Sequence, residues 1–80
     1  MKALSFTKAA LKALRRMPKN DAQAIVTKLE RFAQGERQDV LKLQGSDFYR
    51  LRHGSWRAIL AIEGEAITVA EIVNRRDAYR

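Results

Sequence analysis

Eighty residues allow one domain, spanning 1–80, and a chain of that length buries only about 60–65% of its unfolded surface. It carries no cysteine and a single histidine, which removes disulfides, thiolate nucleophiles and a structural zinc site. The net charge of +7, with sixteen basic residues of which ten are arginines, favours polyanionic partners such as RNA, DNA or an acidic protein. A solvated surface that only aids solubility is the plainer alternative. No apolar run approaches the roughly 18 residues of a membrane span. No apolar h-region follows the N-terminal lysines, so neither a signal peptide nor membrane contact is expected, and the expected location is cytoplasmic.

Residues 2–6 read as a short strand, followed by Thr7 as an N-cap. Phe6 and Leu11 have the spacing of a hydrophobic staple. A first helix runs to about Met17 with Ala10, Leu11, Leu14 and Met17 on one face, and Pro18 breaks it. A second helix is expected to start at Asn20, with Gln23 completing a capping-box spacing. It carries Ala22, Ile25, Val26, Leu29, Phe32 and Ala33 on its apolar side and ends at Gly35. Residues 36–46 read as a connection that opens on the polar run Glu36-Arg37-Gln38-Asp39 and ends on the turn signal Gly45-Ser46. Strands are expected at about 47–53, 56–62 and 66–73. The last is apolar on both faces, as an interior strand would be. The predicted fold is α+β with the order β-α-α-β-β-β, two helices packed on one face of an antiparallel sheet.

The stretch Phe48-Tyr49-Arg50-Leu51-Arg52-His53-Gly54-Ser55-Trp56-Arg57 separates two surfaces when taken at period two. Tyr49, Leu51, Trp56, Ala58 and Leu60 can face a core, while Arg50, Arg52 and Arg57 fall on the other side. A two-residue turn at His53-Gly54 would set Leu51 opposite Trp56 and Arg50 opposite Arg57. Like charges directly opposite each other are destabilising, so this face looks kept for an anion.

Most catalytic sets are absent. There is no serine–histidine–aspartate set beyond the isolated His53, no glycine-rich phosphate loop and no HExxH. No metal or other cofactor is expected. Glu63 and Glu65 flank a turn glycine as ordinary solvated residues, and Glu71 is expected to pair with a basic neighbour. His53 is expected to be an exposed turn residue. What remains is Arg50, Arg52, Arg57, Arg75 or Arg76, and Tyr79. Guanidinium groups grip phosphate oxygens in a bidentate manner and stay charged at any working pH. In RNA cleavage a 2′-hydroxyl attacks the adjacent phosphorus, and preplaced arginines neutralise the charge that grows on the phosphoryl oxygens. A tyrosine can position or deprotonate a hydroxyl, or stack on a base. A phosphate-binding surface without turnover uses the same residues.

The run Leu43-Gln44-Gly45, then Tyr49-Arg50-Leu51-Arg52, Gly54-x-Trp56-Arg57 and Asn74-Arg75-Arg76-Asp77-Ala78-Tyr79-Arg80, resembles the RelE/ParE toxin superfamily over nearly the whole chain. The resemblance implies a toxin neutralised by a cognate antitoxin, the complex binding operator DNA through the antitoxin. RelE-like members cut mRNA on the ribosome, whereas ParE-like members poison DNA gyrase and lack the catalytic residues. The positions that carry RelE-like activity match Arg57, Arg75 (or Arg76) and Tyr79 as catalytic residues. Arg50, Arg52 and Arg76 match as RNA- or phosphate-binding residues. The resemblance therefore implies a ribosome-dependent mRNA endonuclease, with a gyrase-directed toxin or a non-toxic nucleic-acid-binding module as alternatives. Several relatives carry a histidine as general acid where this chain has Asn74.

Overall fold

The computed structural model describes residues 2–78. The elements run β1 (Ala3–Phe6), α1 (Lys8–Arg16), α2 (Lys19–Ala33), β2 (Val40–Lys42), β3 (Phe48–His53), β4 (Trp56–Glu63), β5 (Ala66–Asn74) and a last turn of helix, α3 (Arg75–Ala78). The strands form one sheet in the order β1-β5-β4-β3-β2. Both longer helices lie on one face, giving the expected α+β layers. Besides the added α3 after β5, two features differ from expectation. The connection after α2 contains the short edge strand β2, and β1 pairs with β5 in parallel, so the sheet is mixed.

The local rules that place these elements are visible. The Thr7 hydroxyl accepts from the Ala10 amide at 3.1 Å and so caps α1. The inward face of α1 is Ala10, Ala13, Leu14 and Met17, whereas Leu11 is 41% exposed. Helix α2 begins one residue before Asn20, without a side-chain cap. Pro18 stands at the N-cap position and its carbonyl accepts from the Ala22 amide at 3.0 Å. Proline lacks only the N–H that a helix start does not use, so it ends α1 and opens α2 at once. At the other end of α2, the Gly35 amide donates to the Phe32 carbonyl and the Glu36 amide to that of Arg31. With Gly35 at φ 95°, this is a Schellman closure that needs glycine.

The core lies between the helices and the sheet: Ala10, Met17, Ile25, Leu29 and Ala33 against Leu51, Ala58, Leu60, Ile67, Val69 and Ile72. Strand β5 does not alternate simply along its length. Leu60 pairs with Val69 but Ile59 pairs with Glu71, so Ala70 is an extra residue in a β-bulge. Ile67 and Val69 point to the helices before the bulge and Ile72 points the same way after it. Glu71 is turned to the opposite, open face and is exposed. The expected two-sided apolar strand is therefore a one-sided strand with a change of phase. The Thr7 hydroxyl donates to the Ala70 carbonyl at 2.6 Å, and the Thr7 amide donates to the Val69 carbonyl at 3.1 Å.

A polar cluster joins α2 to the β3–β4 hairpin on the helix side. Asp21 accepts from Trp56 Nε1 through Oδ2 and lies 3.3 Å from His53 Nε2 through Oδ1, while Lys28 Nζ is 3.0 Å from His53 Nδ1. An ammonium can only donate, so Nδ1 accepts and the ring proton sits on Nε2, facing Asp21. No helix is long and apolar enough to cross a membrane among the described residues.

Two substitutions test these ties. Thr7→Val keeps the side-chain shape but removes both hydroxyl bonds, and should cost about 1–3 kcal/mol in urea unfolding, with Thr7→Ser recovering most of it. An unchanged midpoint for the valine variant would remove the bulge anchor from this account. Asp21→Ala should cost about 1–2 kcal/mol, because it leaves a partly buried indole N–H unpaired. Trp56 is the only tryptophan, so the same variant should move its emission to longer wavelength. An emission maximum and midpoint equal to the parent's would show that the cluster does not hold the hairpin.

Candidate functional site

Residues two apart on a strand share a face, and antiparallel partners share it too. Arg50 pairs with Ile59, which pairs with Glu71, while Arg52 pairs with Arg57, which pairs with Val73. Arg50, Arg52 and Arg57 therefore stand together on the sheet face that the helices do not cover. The pairing differs from the expected one. The turn is Gly54-Ser55, with Gly54 at φ 56°, and it sets His53 opposite Trp56 and Arg52 opposite Arg57. Glycine at the first loop position is what a type II′ hairpin asks for, and it moves the turn one residue past His53-Gly54.

This register concentrates charge at the hairpin end. The Arg75 amide donates to the Ser55 carbonyl at 2.6 Å, which brings the start of α3 to the same end as Arg52 and Arg57. Asn74 Nδ2 donates to Ser55 Oγ at 3.2 Å, and Asn74 Oδ1 accepts from the Arg76 amide at 3.1 Å. Asn74 thus fastens the end of β5 to the hairpin turn. An amide has no proton to give at working pH, so this position supplies no general acid. Arg57 and Arg75 each have a further interaction partner. Arg76 is exposed, and Tyr79 lies outside the described residues.

His53, expected at an exposed turn, is instead part-buried on the helix side between Asp21 and Lys28. The strand alternation that turns Arg52 outward turns His53 inward, so the one imidazole is on the wrong face to act with the arginines. Glu71 stands on the open face without an ion pair among the described residues.

Sequence reasoning missed Asp39. Its carboxylate meets Arg50 Nη1 through Oδ1 at 3.3 Å and Arg52 Nε through Oδ2 at 3.2 Å, and its carbonyl accepts from the Arg52 amide at 3.1 Å. The pairing of Val40 with Leu51 fixes Asp39 beside Arg52. Only recognition of β2 as a strand could have found this. The same pairing puts Leu41, 57% exposed, next to Arg50 on the open face, where Phe48 is 42% exposed two residues before Arg50. Among the described residues no group of three or more histidines and carboxylates could hold a metal ion. The arrangement can bind phosphate and stabilise negative charge growing on it, with an apolar margin at Leu41 and Phe48.

Comparison with known proteins agrees with this architecture. A model of the ParE toxin of type II toxin–antitoxin systems, parDE, matches residues 4–79. Comparison with curated proteins gives no significant match. Among solved structures, the toxin–antitoxin complex RelB-RelE of Methanococcus jannaschii aligns at 23% identity with a TM-score of 0.80, covering 92% of this chain and 93% of that one. The archaeal RelE-RelB complex of Pyrococcus horikoshii aligns at 25% identity with a TM-score of 0.74, covering 92% and 94%. The isolated E. coli RelE toxin aligns at 19% identity with a TM-score of 0.78, covering 99% and 96%. The fold is thus that of the RelE toxins, and the chain belongs to the ParE toxin family of type II toxin–antitoxin systems, within the RelE/ParE superfamily that its motifs resemble.

Proposed function

We propose that this toxin is an mRNA endoribonuclease that acts on the ribosome. The observation that carries the reading is the gathering of Arg50, Arg52 and Arg57 on one uncovered sheet face, with the Arg75 backbone tied to the hairpin turn beside them. Arg50, Arg52 and Arg76 hold backbone phosphates, whereas Arg57 and Arg75 neutralise charge on the phosphoryl oxygens as the 2′-hydroxyl attacks. The 2′-oxygen–phosphorus bond forms as the 5′-oxygen–phosphorus bond breaks, leaving a 2′,3′-cyclic phosphate and a free 5′-hydroxyl. Tyr79, near the C-terminus, orients or deprotonates the attacking hydroxyl. With Asn74 unable to donate a proton, the leaving oxygen takes its proton from solvent or the ribosome. A cognate antitoxin holds the toxin silent, a reading supported by the antitoxin complexes in which the similar archaeal toxins are found, and operator DNA is met only through that antitoxin.

A second reading has support of its own. The matching family model is that of ParE, and Leu41 and Phe48 beside the arginines suit a protein target such as gyrase. Induction without antitoxin separates the two. The ribonuclease reading expects growth arrest with codon-aligned mRNA ends in primer extension, and intact mRNA with DNA breaks would replace it by the gyrase reading. Arg57→Ala should lower cleavage about 10²–10³-fold, the loss typical of one removed charge stabiliser. Its unfolding midpoint should stay close to the parent's, since the change lies outside the core. Full toxicity in a folded Arg57→Ala chain would take Arg57 out of the site.

A further inference from the structure

We propose that Arg50 and Arg52 form a single phosphate seat, which the Asp39 carboxylate fills until a phosphodiester displaces it. The seat is read from how one anion is shared. Each carboxylate oxygen meets a different guanidinium, Oδ1 with Arg50 at 3.3 Å and Oδ2 with Arg52 at 3.2 Å. A phosphodiester offers the same thing, two oxygens sharing one negative charge. The two arginines are spaced about 6.6–6.8 Å along one strand face, within reach of a common point for side chains of this length. They therefore grip one phosphate together and do not track two successive ones.

The backbone delivers Asp39 to the two arginines. The Arg52 amide bonds its carbonyl at 3.1 Å, and the next residue, Val40, is in register with Leu51. The Arg50 side chain is only 14% exposed, so its charge requires an anion at all times. Asp39 and Arg52 are about half exposed, at 48% and 55%, which keeps the ion pair weak and replaceable. Asp39 therefore keeps the seat assembled in the free protein and sets a threshold: an incoming phosphate has to outcompete it. The seat rests on the reading under Proposed function only for the identity of the polymer that brings the phosphate.

The test follows the arginine Nε–Hε NMR signals of the full chain during titration with inorganic phosphate. A 2′-O-methyl oligoribonucleotide, which has no attacking hydroxyl, serves as the second probe. Asp39→Asn should tighten phosphate binding about threefold to tenfold, the range set by losing a half-exposed carboxylate from two weak ion pairs, with the Arg50 and Arg52 signals moving on one curve. Glu71→Gln, an equal change of charge on the same face, should alter binding by less than about twofold in moderate salt. The gain from Asp39→Asn should vanish in an Arg52→Gln background, which is exposed enough to leave folding intact. Equal gains for Glu71→Gln, a gain that survives without Arg52, separate curves for the two arginines, or no gain at all would each overturn the seat. Tighter phosphate binding together with no binding of the oligoribonucleotide would uphold the seat and show that RNA off the ribosome is not what brings the phosphate.

Discussion

The Thr7 hydroxyl donates to the carbonyl of Ala70 and accepts from the amide of Ala10, and these two bonds join three pieces of the molecule at one point. One piece is the end of β1, one is the start of α1 and one is the bulge in β5. The bulge is what allows a strand reading Ile67-Thr68-Val69-Ala70-Glu71-Ile72 to bury three branched residues on one side. Without the extra residue, Glu71 would follow Val69 into the core and Ile72 would face water. An unpaired buried carboxylate costs several kcal/mol, on the order of the whole stability of a small domain. The phase change thus keeps Ile67, Val69 and Ile72 on the helix side of β5 and Glu71 on the open face.

That separation allows the arginine face to exist. Arg52 and Arg57 stand directly opposite each other, a pairing that repels. The hairpin bearing them is held from three directions by groups that do not depend on any ligand. Asp21 reaches Trp56 and His53 from the helix side, Asn74 and the Arg75 amide grip Ser55 at the turn, and Asp39 meets Arg50 and Arg52 from the sheet edge. Only the last of these lies where an incoming anion would go. The other two fix the strand geometry and leave the guanidinium groups to be reoriented at small cost.

Much of this layering is legible in the residue pattern. The face of α2, that of α1 apart from the exposed Leu11, the glycine stop at Gly35, the Thr7 cap and the outward arginines follow from spacing alone, because each depends on neighbours close in sequence. Those features that escaped depend on distant partners. Strand β2 is three residues long and has no alternation to betray it; only its register against β3 makes Val40–Lys42 a strand, and Asp39 becomes visible only with it. The bulge in β5 is decided by where β4 and Thr7 lie, and a run of apolar residues cannot announce it. Two local misreadings have local causes. Gly54 takes the first turn position, where its positive φ fits, which shifts the pairing of the arginines. Pro18 serves both helices, so Asn20 has no capping task.

The parallel pairing of β1 with β5 has a consequence for the order in which the molecule can assemble. Ala3 is in register with Ala66 and Phe6 with Val69, so β1 leaves the ribosome well before its partner β5. Synthesis at about 5–20 residues per second leaves β1 unpaired for several seconds while the intervening chain is made. Closing so long a loop also slows folding relative to the local helix pair. The strand that completes the sheet is the same one that carries Asn74 and Arg75 to the hairpin turn. A nascent chain therefore presents no finished arginine face until β5 has joined β4 and brought Asn74 and Arg75 to Ser55.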